Sequence, residues 1–154
     1  MLKPLKKQLK KNSKLKVLIP AAGLGTRVGR PESKEMLLRP DGVRFIDHTI
    51  DLANKINADI HVITREGKNN LIQYLQSQKI SYQLVGTTKD WPETLLLSEP
   101  YWNEDNLVLL PDTDFKPISI LQDLKNSLIQ GHDLVAARFS ETDYSKWGVM
   151  SGDG

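Results

Sequence analysis

The chain has 154 residues and a mass of 17.4 kDa, the length of one domain. The apolar fraction is 39% and the charged fraction 26%, ordinary for a soluble globular protein. With no cysteine, disulfide scaffolds, thiol catalysis, iron–sulfur clusters and cysteine zinc sites are excluded. The three histidines, His48, His61 and His132, are too widely spaced to suggest a multi-histidine metal site. No apolar run approaches the ~20 residues needed to span a bilayer, and the N-terminus has no secretory h-region. The expected compartment is the cytoplasm, with no membrane partner.

Charge divides the sequence. Residues 1–16 carry seven lysines and no acid, while the remainder has 14 basic residues against 19 acidic ones. Residues 1–15 therefore read as a basic arm and 16–154 as the folded domain. The arm fits an anionic partner, but it fits a solvated leader better, because termini are commonly poorly ordered.

Along the chain, Lys16 to Pro20 (KVLIP) is a short apolar run ending in a glycine-rich turn, the pattern of a buried strand. Apolar residues at Phe45, Ile46, Ile50, Leu52, Ala53 and Ile56 form a helical stripe. Residues 59–64 are β-like, and Leu71, Ile72 and Leu75 predict a helix over 68–77. Residues 80–85 alternate as a strand does. Pro92 opens a helix over 92–98, compatible with its fixed φ. Residues 106–110 (NLVLL) form a buried-strand run. An amphipathic helix over 118–129 closes at Gly131, a C-cap signal. Strands are also expected over 133–139 and 146–150. Strands alternating with helices indicate right-handed βαβ units. The predicted fold is a three-layer, Rossmann-like α/β sheet, mostly parallel. In such sheets ligands bind beyond the carboxyl ends of the strands. Two strands end in chemistry there: KVLIP at a glycine loop and NLVLL at Asp112.

The glycine loop is Ala21-Ala22-Gly23-Leu24-Gly25-Thr26-Arg27. A glycine turn after a strand exposes backbone N–H groups that can cradle phosphate. A dinucleotide fingerprint requires glycine at position 28, which is Val28, and a P-loop requires Gly-Lys-Ser/Thr where Gly25-Thr26-Arg27 stands. What remains is a compact loop holding Arg27, a bidentate cation for phosphate oxygens, with Lys34 as a second cation. On spacing alone, a tight βα turn with surface cations fits equally well.

Pro20-Ala21-Ala22-Gly23-Leu24-Gly25-Thr26-Arg27 followed by Lys34-Glu35-Met36-Leu37 resembles the nucleotidyltransferases that activate sugar 1-phosphates. The wording is closest to UTP–glucose-1-phosphate uridylyltransferases, and the resemblance runs from about Lys16 to Gly154. It implies a nucleotidyltransferase-type sheet with the loop wrapped around a triphosphate. It places nucleotide binding on Ala21, Ala22, Gly23, Leu24, Gly25, Thr26 and Arg27, and gives Lys34 the α-phosphate. One departure is the six-residue spacing from Val28 to Ser33, shorter than in the uridylyltransferases. It is nearer to cytidylyltransferases of isoprenoid and polyol-phosphate pathways, which leaves base and acceptor open.

At the second strand end, Pro111-Asp112-Thr113-Asp114 puts a carboxylate where Mg²⁺ is expected, since that ion takes one or two carboxylates plus phosphate oxygens. The resemblance makes Asp112 the metal ligand. Asp114 fits either a second ligand or an ordinary helix cap. The resemblance also makes Gln83 the base reader and Gly148, in Lys146-Trp147-Gly148-Val149-Met150, a residue against the acceptor sugar. Trp91 fits stacking on a base, but a core anchor is the preferred reading.

The expected activity is nucleotidyl transfer from an NTP, UTP or dTTP favoured, to a sugar 1-phosphate, with Arg27, Lys34 and Asp112 as catalytic residues. Family members continue well beyond residue 154, so the chain reads as an N-terminal part of one, and homo-oligomers are compatible with it. The alternatives are a non-catalytic nucleotide-binding module of the same fold and a cytidylyltransferase with another phosphate acceptor. The acidic body, without interleaved aromatic and basic residues, argues against nucleic acid.

Overall fold

A computed structural model describes residues 15–25, 29, 33–114, 119–132 and 135–136. Four parallel strands lie in these segments: β1 (Lys16–Pro20), β2 (Asp59–Arg65), β3 (Ser81–Val85) and β4 (Asn106–Val108). Four α-helices accompany them: α1 (Phe45–Lys55), α2 (Asn69–Ser77), α3 (Trp91–Leu96) and α4 (Ser119–Ile129). Lys34–Met36 and Glu99–Tyr101 form single 3-10 turns.

The sheet order is β3-β2-β1-β4. β1 is flanked on both sides, which is why its run is almost wholly apolar. Val17, Leu18 and Ile19 are at most 1% exposed, and burial of each contributes about 1.5–3 kcal/mol. The strand period divides the two faces. Val17, Ile19, Ala21 and Val62 join the main core, with Ile46, Leu52 and Ala53 of α1, Leu71 and Leu75 of α2, and Leu121 and Leu124 of α4. Leu18, Ala22, Ile63 and Val85 face the other way, against Leu95 of α3. Among the described residues one face thus carries α1, α2 and α4 and the other α3.

Element ends follow local chemistry. Asp90 caps α3, its Oδ1 accepting from the Glu93 N–H at 3.0 Å, and Pro92 sits in the first turn. Gly131, just past α4, has φ +97°, where any side chain would be strained. The helix begins at Trp91 rather than Pro92, because the cap is Asp90. β4 is two residues shorter than its apolar run, although the Leu109 N–H still donates to the Leu18 carbonyl at 3.1 Å. Pro111 and the turn from Leu110 to Thr113 end the pairing. Of the strand expected over 133–139, only Val135 and Ala136 are described, and neither is in a strand. The strand expected over 146–150 and the arm up to residue 14 lie outside the described residues. Among the described residues no helix is long and apolar enough to cross a membrane.

Candidate functional site

The chain winds outward from β1 through β2 to β3, then crosses back so that β4 lies on the other side of β1. The reversal between β1 and β4 opens a crevice at their carboxyl ends, the place where α/β sheets bind ligands. Both chemistry-bearing strand ends open there.

From β1 the chain stays tied to the sheet for one more residue, the Ala21 N–H donating to the Ile63 carbonyl at 2.7 Å. Ala21 and Ala22 are buried, and Gly23 and Leu24 emerge into solvent. Gly25 has φ +65°, a left-handed conformation that favours glycine. Thr26 and Arg27 lie outside the described residues, as does Gly148.

Lys34 opens the 3-10 turn that returns from the loop. Its Nζ reaches Asp112 Oδ2 at 2.8 Å, with both side chains partly solvated. The next residue points inward: the Glu35 carboxylate is fully buried against Lys68 Nζ, 2.9 Å from each oxygen. Lys68 Nζ also donates to the Ala21 carbonyl at 2.7 Å. Burial pushes the Lys68 ammonium below its ordinary pKa, and the Glu35 charge offsets part of that shift.

Asp112 lies in the turn after β4. The Thr49 hydroxyl of α1 shares its one proton between the Phe45 carbonyl at 3.1 Å and the Pro111 carbonyl at 3.3 Å, which ties α1 to the turn. Two residues on, Asp114 sits between a histidine and an arginine, with Oδ1 3.0 Å from His48 Nε2 and Oδ2 3.5 Å from an Arg39 nitrogen. Lys34, Arg39 and His48 therefore face the two carboxylates of one Asp-Thr-Asp segment.

On the other side of the glycine loop lies a cleft of about 210 Å³, lined by Gly23, Leu24, Arg65, Lys89, Trp91 and Thr94 among others. Trp91 is 53% exposed and borders this cleft, which corrects the expectation of a core anchor. It is the first residue of the short helix α3. Gln83 is not in the cleft lining. Its Nε2 donates to the Leu97 carbonyl at 3.0 Å and its Oε1 is 3.2 Å from His61 Nε2. His61 also meets Ser81 Oγ at 2.8 Å and stacks on Tyr101, ring centroids 4.1 Å apart.

Glu35, Arg39, His48, Arg65, Lys68 and Lys89 were not singled out from sequence. One signal marks Arg65 and Lys68: Arg65 ends β2 and Lys68 follows it, at the same carboxyl edge as the two motifs. No local pattern marked Arg39 or His48, because only the fold brings them to residue 114.

The residues present can be weighed against a Mg²⁺ ion by their donor chemistry. Asp112 is a half-exposed carboxylate with one oxygen on an ammonium that a phosphate could attract away. Asp114 has one oxygen on His48 and the other on Arg39. Among the described residues no three His, Asp or Glu side chains cluster as a metal cage. One carboxylate completed by phosphate oxygens fits a Mg²⁺ site; an all-protein cage does not.

No family model matches the chain, and no curated protein matches it. Solved structures do. A Bacillus anthracis protein assigned as a glucose-1-phosphate thymidylyltransferase superposes with a TM-score of 0.58 at 20% identity, over 73% of this chain and 50% of its own. The 4-diphosphocytidyl-2C-methyl-D-erythritol synthase of Anaerococcus prevotii gives 0.57 at 17% identity, over 77% and 52%. The inositol-1-phosphate CTP transferase of T. maritima gives 0.57 at 22% identity, over 72% and 48%. The chain spans about half the length of each of these structures. What they share with it is the fold: a parallel, Rossmann-like α/β sheet of the type found in nucleotidyltransferases.

Proposed function

We propose that this chain carries the nucleotide-binding half of a nucleotidyltransferase that transfers an NMP group from an NTP to a sugar 1-phosphate. The observation that supports this reading is the Lys34–Asp112 ion pair at the carboxyl edge of the sheet, the same edge at which β1 runs into the glycine loop. An exposed glycine turn offers N–H donors, Lys34 a mobile ammonium, and Asp112 a carboxylate for a cation. Together these match the charge pattern of a metal-bound triphosphate.

In the proposed reaction an oxygen of the sugar phosphate attacks the α-phosphorus of the NTP. A new P–O bond forms, the α–β bridging P–O bond breaks, and pyrophosphate leaves with the bonding pair. The attacking phosphate is already anionic at neutral pH, so no general base is required. The chain's contribution is positioning and charge stabilisation. Loop amides from Gly23 to Gly25, with Thr26 and Arg27, hold the β- and γ-phosphates. Lys34 leaves Asp112 and moves onto the α-phosphate, where negative charge accumulates. Asp112 would then hold Mg²⁺, which supplies charge neutralisation across the phosphates when bound. The cleft beside Trp91 offers an aromatic face for the nucleobase, and Gly148 is proposed against the acceptor.

UTP or dTTP is the proposed donor from the motif wording. Two of the three structural neighbours above are named for cytidylyl chemistry, so CTP belongs in the same assay. The test is pyrophosphate release across the common NTPs, each with a panel of sugar 1-phosphates and polyol phosphates. Release that requires one NTP and one acceptor supports the proposal. Nucleotide binding without release with any acceptor would instead favour the non-catalytic module.

A further inference from the structure

The loop that carries the glycines leaves the sheet at Ala21 and returns at Ser33, and the start of α2 touches both stems. Lys68 Nζ has three protons, and the structure gives it three acceptors: the Ala21 carbonyl at 2.7 Å and the two Glu35 oxygens at 2.9 Å. Two residues on, Asn70 Oδ1 accepts from the Ser33 hydroxyl at 2.8 Å. The outgoing stem is thus held by Lys68, and the returning stem by Lys68 and Asn70 together. Lys68 is 8% exposed and Glu35 1%.

We propose that Lys68, Glu35 and Asn70 are positioning residues that clasp the two stems of the glycine loop and so fix the distance between its amides and the Lys34 ammonium. This rests on the function proposed above. Glu35 is covalently next to Lys34, and its buried side chain leaves Lys34 only the outward direction, toward Asp112. None of the three lines the cleft or touches Asp112. A buried ion pair is seldom more stabilising than apolar residues of the same size. Its directional bonds, by contrast, hold two chain segments at one separation, which an apolar pair does not do. A nucleoside triphosphate must meet the loop amides and Lys34 at once, so it is sensitive to that separation. Pyrophosphate, which needs only the loop, is not.

The test replaces the pair with apolar residues, Glu35→Leu with Lys68→Met, and titrates UTP and pyrophosphate separately in Mg²⁺ against the wild-type chain. The expected result is an unchanged melting temperature, UTP affinity lowered by at least about tenfold, and pyrophosphate affinity held within about threefold. UTP affinity within about twofold of wild type overturns the proposal. Equal losses for UTP and pyrophosphate also overturn it, since they mark a general structural defect. Should the double variant not fold, Asn70→Ala decides by the same comparison, with a UTP-selective loss expected and unchanged UTP affinity overturning the clasp. Wild-type protein that binds neither ligand overturns the nucleotidyltransferase reading, and the clasp falls with it. A wild type that binds UTP while the variants match it leaves that reading standing and removes only the clasp.

Discussion

Lys34 and Asp112 lie 78 positions apart and meet at 2.8 Å across the crevice between β1 and β4. Each is the residue its own motif singles out, and each neutralises the other. A triphosphate would compete for Lys34 and its metal for Asp112, so occupation of the crevice exchanges one ion pair for two.

That exchange separates stability from binding. The pair is partly exposed, and such pairs contribute about 0–1 kcal/mol. Lys34→Met should therefore shift the urea midpoint only slightly. A charge-assisted bond to phosphate contributes about 1.5–3 kcal/mol, so NTP affinity should drop about ten- to a hundredfold. Parallel denaturation and calorimetric titration read both quantities.

The two aspartates should behave differently. Among the described residues Asp112 pairs with Lys34, whereas Asp114 meets Arg39 and His48. The enhancement of NTP affinity by Mg²⁺ should shrink more in Asp112→Asn than in Asp114→Asn. A larger effect at Asp114 would move the ligand role there. NTP affinity that does not change with EDTA would remove the metal from the account.

Acid should weaken the fold through His61. Burial holds its imidazole below the ordinary value of 6.5, and Lys16 adds to the shift while the Gln83 bond opposes it. The folded state thus prefers the neutral ring. The stability this contributes is complete above the unfolded value and is lost as pH falls through the folded one. Between those two values the slope approaches about 1.4 kcal/mol per pH unit for this group. Urea midpoints measured from about pH 8 to 5 should decline less steeply in His61→Gln than in wild type.

Breaking the buried pair from one side should be costly. Lys68→Ala leaves the Glu35 carboxylate buried without its partner, which typically costs about 3–5 kcal/mol. Thermal and urea unfolding of Lys68→Ala against the apolar double variant would show whether the loss comes from the orphaned charge. A single variant as stable as wild type would contradict the burial described for Glu35.

The fold and part of the site are legible in the sequence for different reasons. Apolar runs such as 16–20 and 106–110 have no polar face, so they read as buried parallel strands, and both belong to the sheet. The loop and Asp112 are contiguous motifs at strand ends, so their residue types and order suffice to find them. Trp91 departs from its expectation because a large aromatic is core by default, whereas here it opens α3 at the rim of a cleft. Gln83, the expected base reader, lies in β3 and engages His61 and the Leu97 carbonyl. The Lys68–Glu35 pair and the contacts of Arg39 and His48 with Asp114 join residues 33 to 75 positions apart. Contacts of that kind carry no local pattern and arise only from the strand order.

The account depends on a triphosphate occupying the β1/β4 crevice. The most direct measurement is amide NMR of the labelled chain during addition of UTP with Mg²⁺. Saturable shifts should concentrate at Ala22 to Arg27, Lys34 and Asp112, with little change near Glu104 and His132. Shifts centred anywhere else, or none with any common NTP, would contradict it.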